Sequence, residues 1–226
     1  MMRIYERLLN HFGEQEWWPC KTGRRFEIIA GAILTQNTNW KNVEKALDNL
    51  AEKKKLSRNA IKSMSTKELS DLIKPSGYYK QKAKKLKAFV NFSGKMTRKN
   101  LLSIWGIGPE TADSILLYAY NKPYFVIDAY TKRVFTRLGL LELKGKNKGK
   151  TRLGKSSKNK AKPDAIVINN SNNYEEIRKF FESKLPKDVK IYKEFHALIV
   201  ELAKNYCRKE PLCSSCPLKR VCRFKF

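Results

Sequence analysis

The stretch RFEIIAGAILTQN, residues 25–37, constrains this chain more than any other. At the helical period its apolar side chains cover nearly the whole circumference. A helix here has no face to give to water and must lie at the centre of other helices. The neighbouring segments supply those helices. In NWKNVEKALDNLAEK (39–53), Val43, Ala46, Leu47 and Leu50 share one face, and STKELSDLIK (65–74) opens with a Ser-x-x-Glu capping box from Ser65 to Glu68. YKQKAKKLKAFVNFSG reads as a helix ending near Gly94. TRKNLLSI, ETADSILLYAYN, DAYTKRVFTRLG, NYEEIRKFFESKL and IYKEFHALIVELAKNYC bring the expectation to about ten helices. Strand signals are almost absent, and only AIVI (165–168) suits a short one. The expected fold is all-α with short loops, and 226 residues allow one large domain or two small ones.

Between two of these helices lies WGIGPE, residues 105–110. Gly106 and Gly108 permit a tight turn and close approach to the backbone, and Pro109 suits a first helical position. The unpaired amides near Gly108 to Thr111 would then face an anion. The pattern also suits a plain structural helix–turn–helix. Glu110 stands in the first turn, where it favours the helix dipole but is an unexpected neighbour for a phosphate.

Charge bears on which anion. The chain carries 48 Lys and Arg against 21 Asp and Glu, a net +27. That predicts attraction to polyanions, above all nucleic acid, although a lysine-rich organism or a highly salted cytoplasm would also account for it. Residues 144–173 are expected to form a flexible basic insertion: nine Lys or Arg and no acid fall between 144 and 162, with Gly, Ser and Asn between them. It reads equally as a DNA-gripping arm or as a tolerated solvated insertion.

Residues 1–20 contain Arg3, Glu6 and Arg7 and no long apolar run, so an export leader is not expected, and no stretch approaches a membrane span. A soluble, cytoplasmic protein is expected, and in that compartment its five cysteines are poor candidates for disulfides. Cys207, Cys213, Cys216 and Cys222 follow C-x5-C-x2-C-x5-C, which indicates a metal. Zinc and a [4Fe–4S] cluster both take four thiolates, and spacing alone leans modestly to zinc. Cys20 reads as a plain packed residue.

The order of these motifs resembles the HhH-GPD superfamily of DNA glycosylases, in its endonuclease III branch. The hairpin LLSIWGIGPETADSILLY is followed at once by PYFVIDAYTKRVF; upstream stand GAILTQNTNW and SGYYKQKAKKL, and the four cysteines close the chain. The resemblance covers about 20–141 and 174–222. It implies a helix-hairpin-helix glycosylase fold: a six-helix barrel domain at 22–135 with the hairpin at about 98–121, and a second helical domain from 1–21 plus 136–226. It also implies a [4Fe–4S] cluster in the loop 207–222, with zinc as the alternative. The first cysteine loop is one residue shorter than the usual pattern of that family. The resemblance further implies a monomer acting on double-stranded DNA with a damaged base.

The same resemblance assigns roles. Asp128 matches the catalytic aspartate, although an Asp there also suits the N-cap of the following helix. Bifunctional members carry a lysine two residues after the second glycine; that position is Glu110, which cannot form an imine. Gln36, Gly106, Gly108, Thr111, Arg208 and Lys209 fall at DNA-contacting positions. Members acting on adenine mismatches use a glutamate acid where this chain has Ala32. WWP, LTQNT, PSGYYKQKAK and the Gly-Glu hairpin are similar to the small 3-methyladenine glycosylases of the branch. Trp17 and Trp18 are therefore expected in the base pocket, with packing between domains as the plainer role. The implied activity is monofunctional release of an alkylated purine. The alternatives are a bifunctional glycosylase/AP lyase for oxidised pyrimidines and a non-catalytic DNA-binding protein.

Overall fold

A computed structural model describes residues 1–143, 165–168 and 173–224. The expected basic insertion lies almost wholly outside the described residues. The chain divides into two compact units, Trp18–Lys122 and Met1–Trp17 with Pro123–Phe226.

The middle unit holds α2 (Arg25–Leu34), α3 (Trp40–Glu52), α4 (Arg58–Ser63), α5 (Thr66–Leu72), α6 (Tyr79–Asn91), α7 (Arg98–Leu102) and α8 (Pro109–Ser114), with a 3-10 turn at Lys74–Ser76. Helix α2 is the expected central element: Ile29 to Leu34 are all buried. Its first turn buries Glu27 as well. That carboxylate accepts from the amides of Lys21 and Thr22, both at 2.8 Å, and from the Cys20 thiol at 3.2 Å, which ties the preceding loop to the helix. Burial alone would push the Glu27 carboxyl up; these donors hold it below its usual value. Cys20 thus caps a buried acid as well as packing. Helix α3 buries Val43, Ala46, Leu47 and Leu50, as its periodicity requires. Ser65 caps α5 by accepting from the Glu68 amide at 3.1 Å.

Two elements depart from the sequence reading. α4, six residues capped by Ser57, is too short to show periodicity. The expected single helix from Glu110 is α8 followed by a π-helical segment, Ile115–Ala119, every residue of which is buried.

The other unit contains α1 (Met2–Phe12), α9 (Ala129–Arg137), β1 (Leu141–Leu143), β2 (Ile166–Ile168), α10 (Tyr174–Ser183) and α11 (Val189–Asn205). Its core is aromatic: the Phe125 and Phe181 rings stack at 4.8 Å, and Phe195 meets Phe125 at 5.9 Å and Tyr5 of α1 at 5.6 Å. The Phe135 ring also meets Phe181, at 4.6 Å, and with Phe125 it groups residues 123–135 with this unit. Strands β1 and β2 pair in parallel, Leu141 with Ile166 and Leu143 with Ile168. The AIVI strand therefore exists, with a partner that carried no sequence signal. Among the described residues no helix is long and apolar enough to cross a membrane.

Candidate active site and four-cysteine loop

In the middle unit, α7 and α8 form the hairpin. Arg98 at the start of α7 grips Asp113 of α8 through two bonds, Nε to Oδ1 at 2.6 Å and Nη2 to Oδ2 at 3.2 Å, and the Asp113 side chain is fully buried. This bidentate pair fixes how the helices meet. Ile104 and Ile107 anchor the turn in the core. Gly106 has φ +82, and a Cβ there would overlap the Lys85 side chain, so both conformation and packing require glycine. Gly108 differs. Its φ is −86, and a Cβ would meet nothing within 4 Å.

The structure brings Gln36, Gly106 and Thr111 together. The Gln36 side-chain amide donates to the Gly106 carbonyl at 3.1 Å and to Thr111 Oγ1 at 3.0 Å, and Lys85 donates to its Oε1. Glu110 is exposed, and its carbonyl accepts from Ser114 Oγ at 2.7 Å.

In the other unit, Asp128 is the N-cap of α9, its Oδ1 accepting from the Thr131 amide at 2.7 Å. Its side chain is 14% exposed, and Oδ2 lies 3.5 Å from His196 Nε2 on α11. Burial by itself would raise this carboxyl. The His196 ring and the Thr131 donors more than offset it, so Asp128 stays below the ordinary carboxylate range and is ionised at neutral pH. The segment before it is pinned from α10: the Phe125 amide donates to Glu182 at 3.0 Å and the Ile127 amide to Tyr174 Oη at 3.3 Å. His196 escaped the sequence reading because a lone histidine inside the apolar run FHALIV looks like core.

Helix α9 also carries two arginines to the cysteine loop. Arg133 donates to the Cys207 and Ala203 carbonyls at 2.8 and 3.1 Å. Arg137, 6% exposed, donates to the Arg208 carbonyl at 2.6 Å, the Lys209 carbonyl at 3.1 Å and Cys207 Sγ at 3.4 Å. The side chains of Arg208 and Lys209 are left exposed.

Cys207, Cys213, Cys216 and Cys222 all line one cleft of about 70 Å³ together with Arg137, Tyr206 and Phe224. Burial, with the other three thiols close by, pushes the Cys216 thiol up. Among the described residues no three metal-ligating side chains converge on a single ion position. Four thiols lining one cleft are a donor set that suits either four-thiolate group, zinc or a [4Fe–4S] cluster.

The two tryptophans fall in different units. Trp18 packs edge-on against Trp40 at 5.2 Å and near Tyr118 at 5.0 Å in the middle unit. A Cβ on Gly31 would come within 3.3 Å of both indoles. Trp17 belongs to the other unit, with Lys204 Nζ 5.3 Å above its ring.

Residues 30–158 match the HhH-GPD superfamily of base excision DNA repair proteins. The chain is 44% identical to "Putative DNA repair glycosylase MJ1434" of Methanocaldococcus jannaschii, over 99% of this chain and 96% of the relative. Its fold is similar to that of endonuclease III in a non-covalent DNA complex, with a TM-score of 0.74, 20% identity and coverage of 98% and 93%. It is also similar to the H. pylori 3-methyladenine DNA glycosylase MagIII bound to 1,N6-ethenoadenine, with a TM-score of 0.68, 27% identity and coverage of 89% and 96%.

Proposed function

The chain belongs to the HhH-GPD superfamily of base excision DNA repair proteins, and from that premise we propose that it is a monofunctional DNA glycosylase that releases alkylated purines. One observation carries the reading: a nearly buried carboxylate, Asp128, is held ionised at the start of α9, while the hairpin offers Glu110 where an imine-forming lysine would stand.

The chemistry follows from the charges. Breaking an N-glycosidic bond builds positive charge on the deoxyribose, and a fixed carboxylate beside the sugar lowers the energy of that state. The Thr131 amide bonds one Asp128 oxygen and the His196 ring stands 3.5 Å from the other, so the carboxylate is fixed before charge develops. The flipped base leaves and water adds to the sugar. An abasic site remains, uncut, since a carboxylate at 110 forms no imine. DNA binding by a monomer rests on the hairpin amides, the exposed Arg208 and Lys209 and the net charge of +27. The basic residues 144–162 are proposed to add phosphate contacts. Cys207, Cys213, Cys216 and Cys222 would hold a [4Fe–4S] cluster, which when bound supplies a thiolate-anchored centre that shapes this loop.

Three features favour an alkylated purine. Ala32 supplies no general acid, and a base that is already cationic needs none. The indoles of Trp17 and Trp18 suit a cationic ring. One structural relative at 27% identity is named a 3-methyladenine DNA glycosylase. The test is a panel of duplexes each carrying one lesion. Release of 3-methyladenine or another N-alkylated purine faster than thymine glycol supports the assignment; the reverse order favours the bifunctional reading.

A further inference from the structure

Helix α6 carries two cations that the proposed reaction does not use, Lys82 and Lys85, one turn apart. Lys82 is 2% exposed and donates to the Leu34 carbonyl at 2.8 Å and the Ser76 carbonyl at 2.6 Å. It therefore caps the end of α2 and the 3-10 turn. Burial, and then the charge of Lys85, lower its pKa to about 8. Lys85 is half-buried, and among the described residues it has no carboxylate partner. Its methylenes occupy the space that a Gly106 side chain would need, and its ammonium meets Gln36 Oε1.

That interaction decides how the Gln36 amide faces. A cation can only donate, so it holds the amide oxygen towards itself and turns both amide N–H groups to the hairpin. There they meet two acceptors, the Gly106 carbonyl at 3.1 Å and Thr111 Oγ1 at 3.0 Å. A flipped amide would set oxygen against the Gly106 carbonyl and N–H against the ammonium. Both arrangements would be repulsive, so the charge of Lys85 selects the amide orientation that bonds the turn.

We propose that Lys85 is a positioning residue for DNA recognition: by orienting Gln36 it locks the Gly106–Thr111 turn in the form onto which the duplex docks. The proposal rests on the glycosylase reading for its consequence and on the protein alone for its mechanism, and the two parts are tested separately.

Lys85→Met keeps the stem on Gly106 and removes the charge; Lys85→Arg keeps a donor; Lys85→Gln is a second neutral variant should the first fold poorly. In the unbound 15N-labelled protein, the Gln36 side-chain N–H protons are expected to exchange about tenfold faster in Lys85→Met than in wild type, matching the removal of one charged hydrogen bond. Equal exchange in wild type and both neutral variants would overturn the proposal. With a duplex bearing an uncleavable abasic-site analogue, Kd is expected to rise about tenfold in Lys85→Met. Gln36→Leu should give a similar rise, the double variant should be no weaker than either, and Lys85→Arg should recover most of the affinity. Additive effects would contradict the shared pathway. Base release from the saturated complex should fall much less than binding. Wild-type protein that does not prefer the abasic duplex to undamaged DNA would sink the glycosylase reading instead, with the Gln36 exchange measurement still deciding the role of Lys85.

Discussion

The hairpin turn and the cysteine loop are both short, irregular and polar, yet they are held in opposite ways. The turn is stabilised from within its own unit: Ile104 and Ile107 plug it, Arg98 and Asp113 brace its helices, and Gln36 and Lys85 bind its backbone and side chains. Within the cysteine loop, residues 207–222, Leu218 is the one apolar side chain that is fully buried, and the neighbouring support is two arginines bonded to carbonyls. A loop with so little core is expected to depend on the cluster proposed for its thiols. On the proposed function the turn is finished before it meets DNA, whereas the loop is completed by what it holds.

The largest effect should come from breaking the loop. Cys216→Ala should abolish cluster loading, for which protein purified without oxygen is expected to absorb near ~400 nm. Removing a structural metal group takes away on the order of 10 kcal/mol of local folding free energy. Proteolysis should then cut within 207–222, while amide exchange in the hairpin is unchanged. A colourless wild-type protein containing one zinc ion would contradict the cluster assignment.

Next in size is Asp128→Asn. It should retain duplex binding and slow base release by about 10²–10³-fold, the usual cost of removing one preorganised electrostatic partner. The glycines come third, and they should separate. Gly106→Ala, strained at positive φ and overlapping Lys85, should lower stability by about 2–3 kcal/mol in denaturant unfolding. Gly108→Ala, extended and facing open space, should lower it by under about 0.5 kcal/mol and instead weaken DNA binding. Equal destabilisation would erase the distinction between the two positions.

A smaller effect concerns pH. Asp128 has a lowered carboxyl in the folded state, so its contribution to stability is present above its unfolded pKa of about 3.9 and is lost only as pH falls through the lower folded value. The acid limb of base release should therefore lie below about pH 4. In His196→Ala the burial of Asp128 is less opposed, and that limb should move up. Smallest at physiological salt is removal of residues 144–162, which should flatten the log K against log salt slope by about 0.9 for each phosphate that the segment neutralises.

Much of this was legible in the sequence wherever a signal is local. The all-round apolar pattern of residues 25–34 required a central helix, Ser65 announced a cap, and the cysteine spacing gathered four thiols on one cleft. What escaped was long-range pairing. Lys85 is 49 residues from Gln36, Arg137 is 70 from Cys207, and His196 lies on a helix far along the chain from Asp128. Nothing in a lysine-rich helix marks the one lysine whose stem fits against a glycine. The π-helical stretch 115–119 was equally hidden, because an apolar run looks the same whether its backbone hydrogen bonds span four residues or five. Trp17 and Trp18, adjacent in sequence, divide between two units, a separation that neighbouring letters cannot reveal.

Hydrolysis without an amine intermediate leaves products that one experiment distinguishes. A labelled duplex with a single N-alkylated purine is incubated with excess protein, and each time point is divided between hot alkali, borohydride and neither. Hydrolysis predicts strands that stay intact untreated, break after alkali and give no covalent complex with borohydride, with Asp128→Asn forming alkali-labile sites about 10²–10³-fold more slowly. Strand cleavage without alkali, together with efficient borohydride trapping by the wild-type protein, would contradict it.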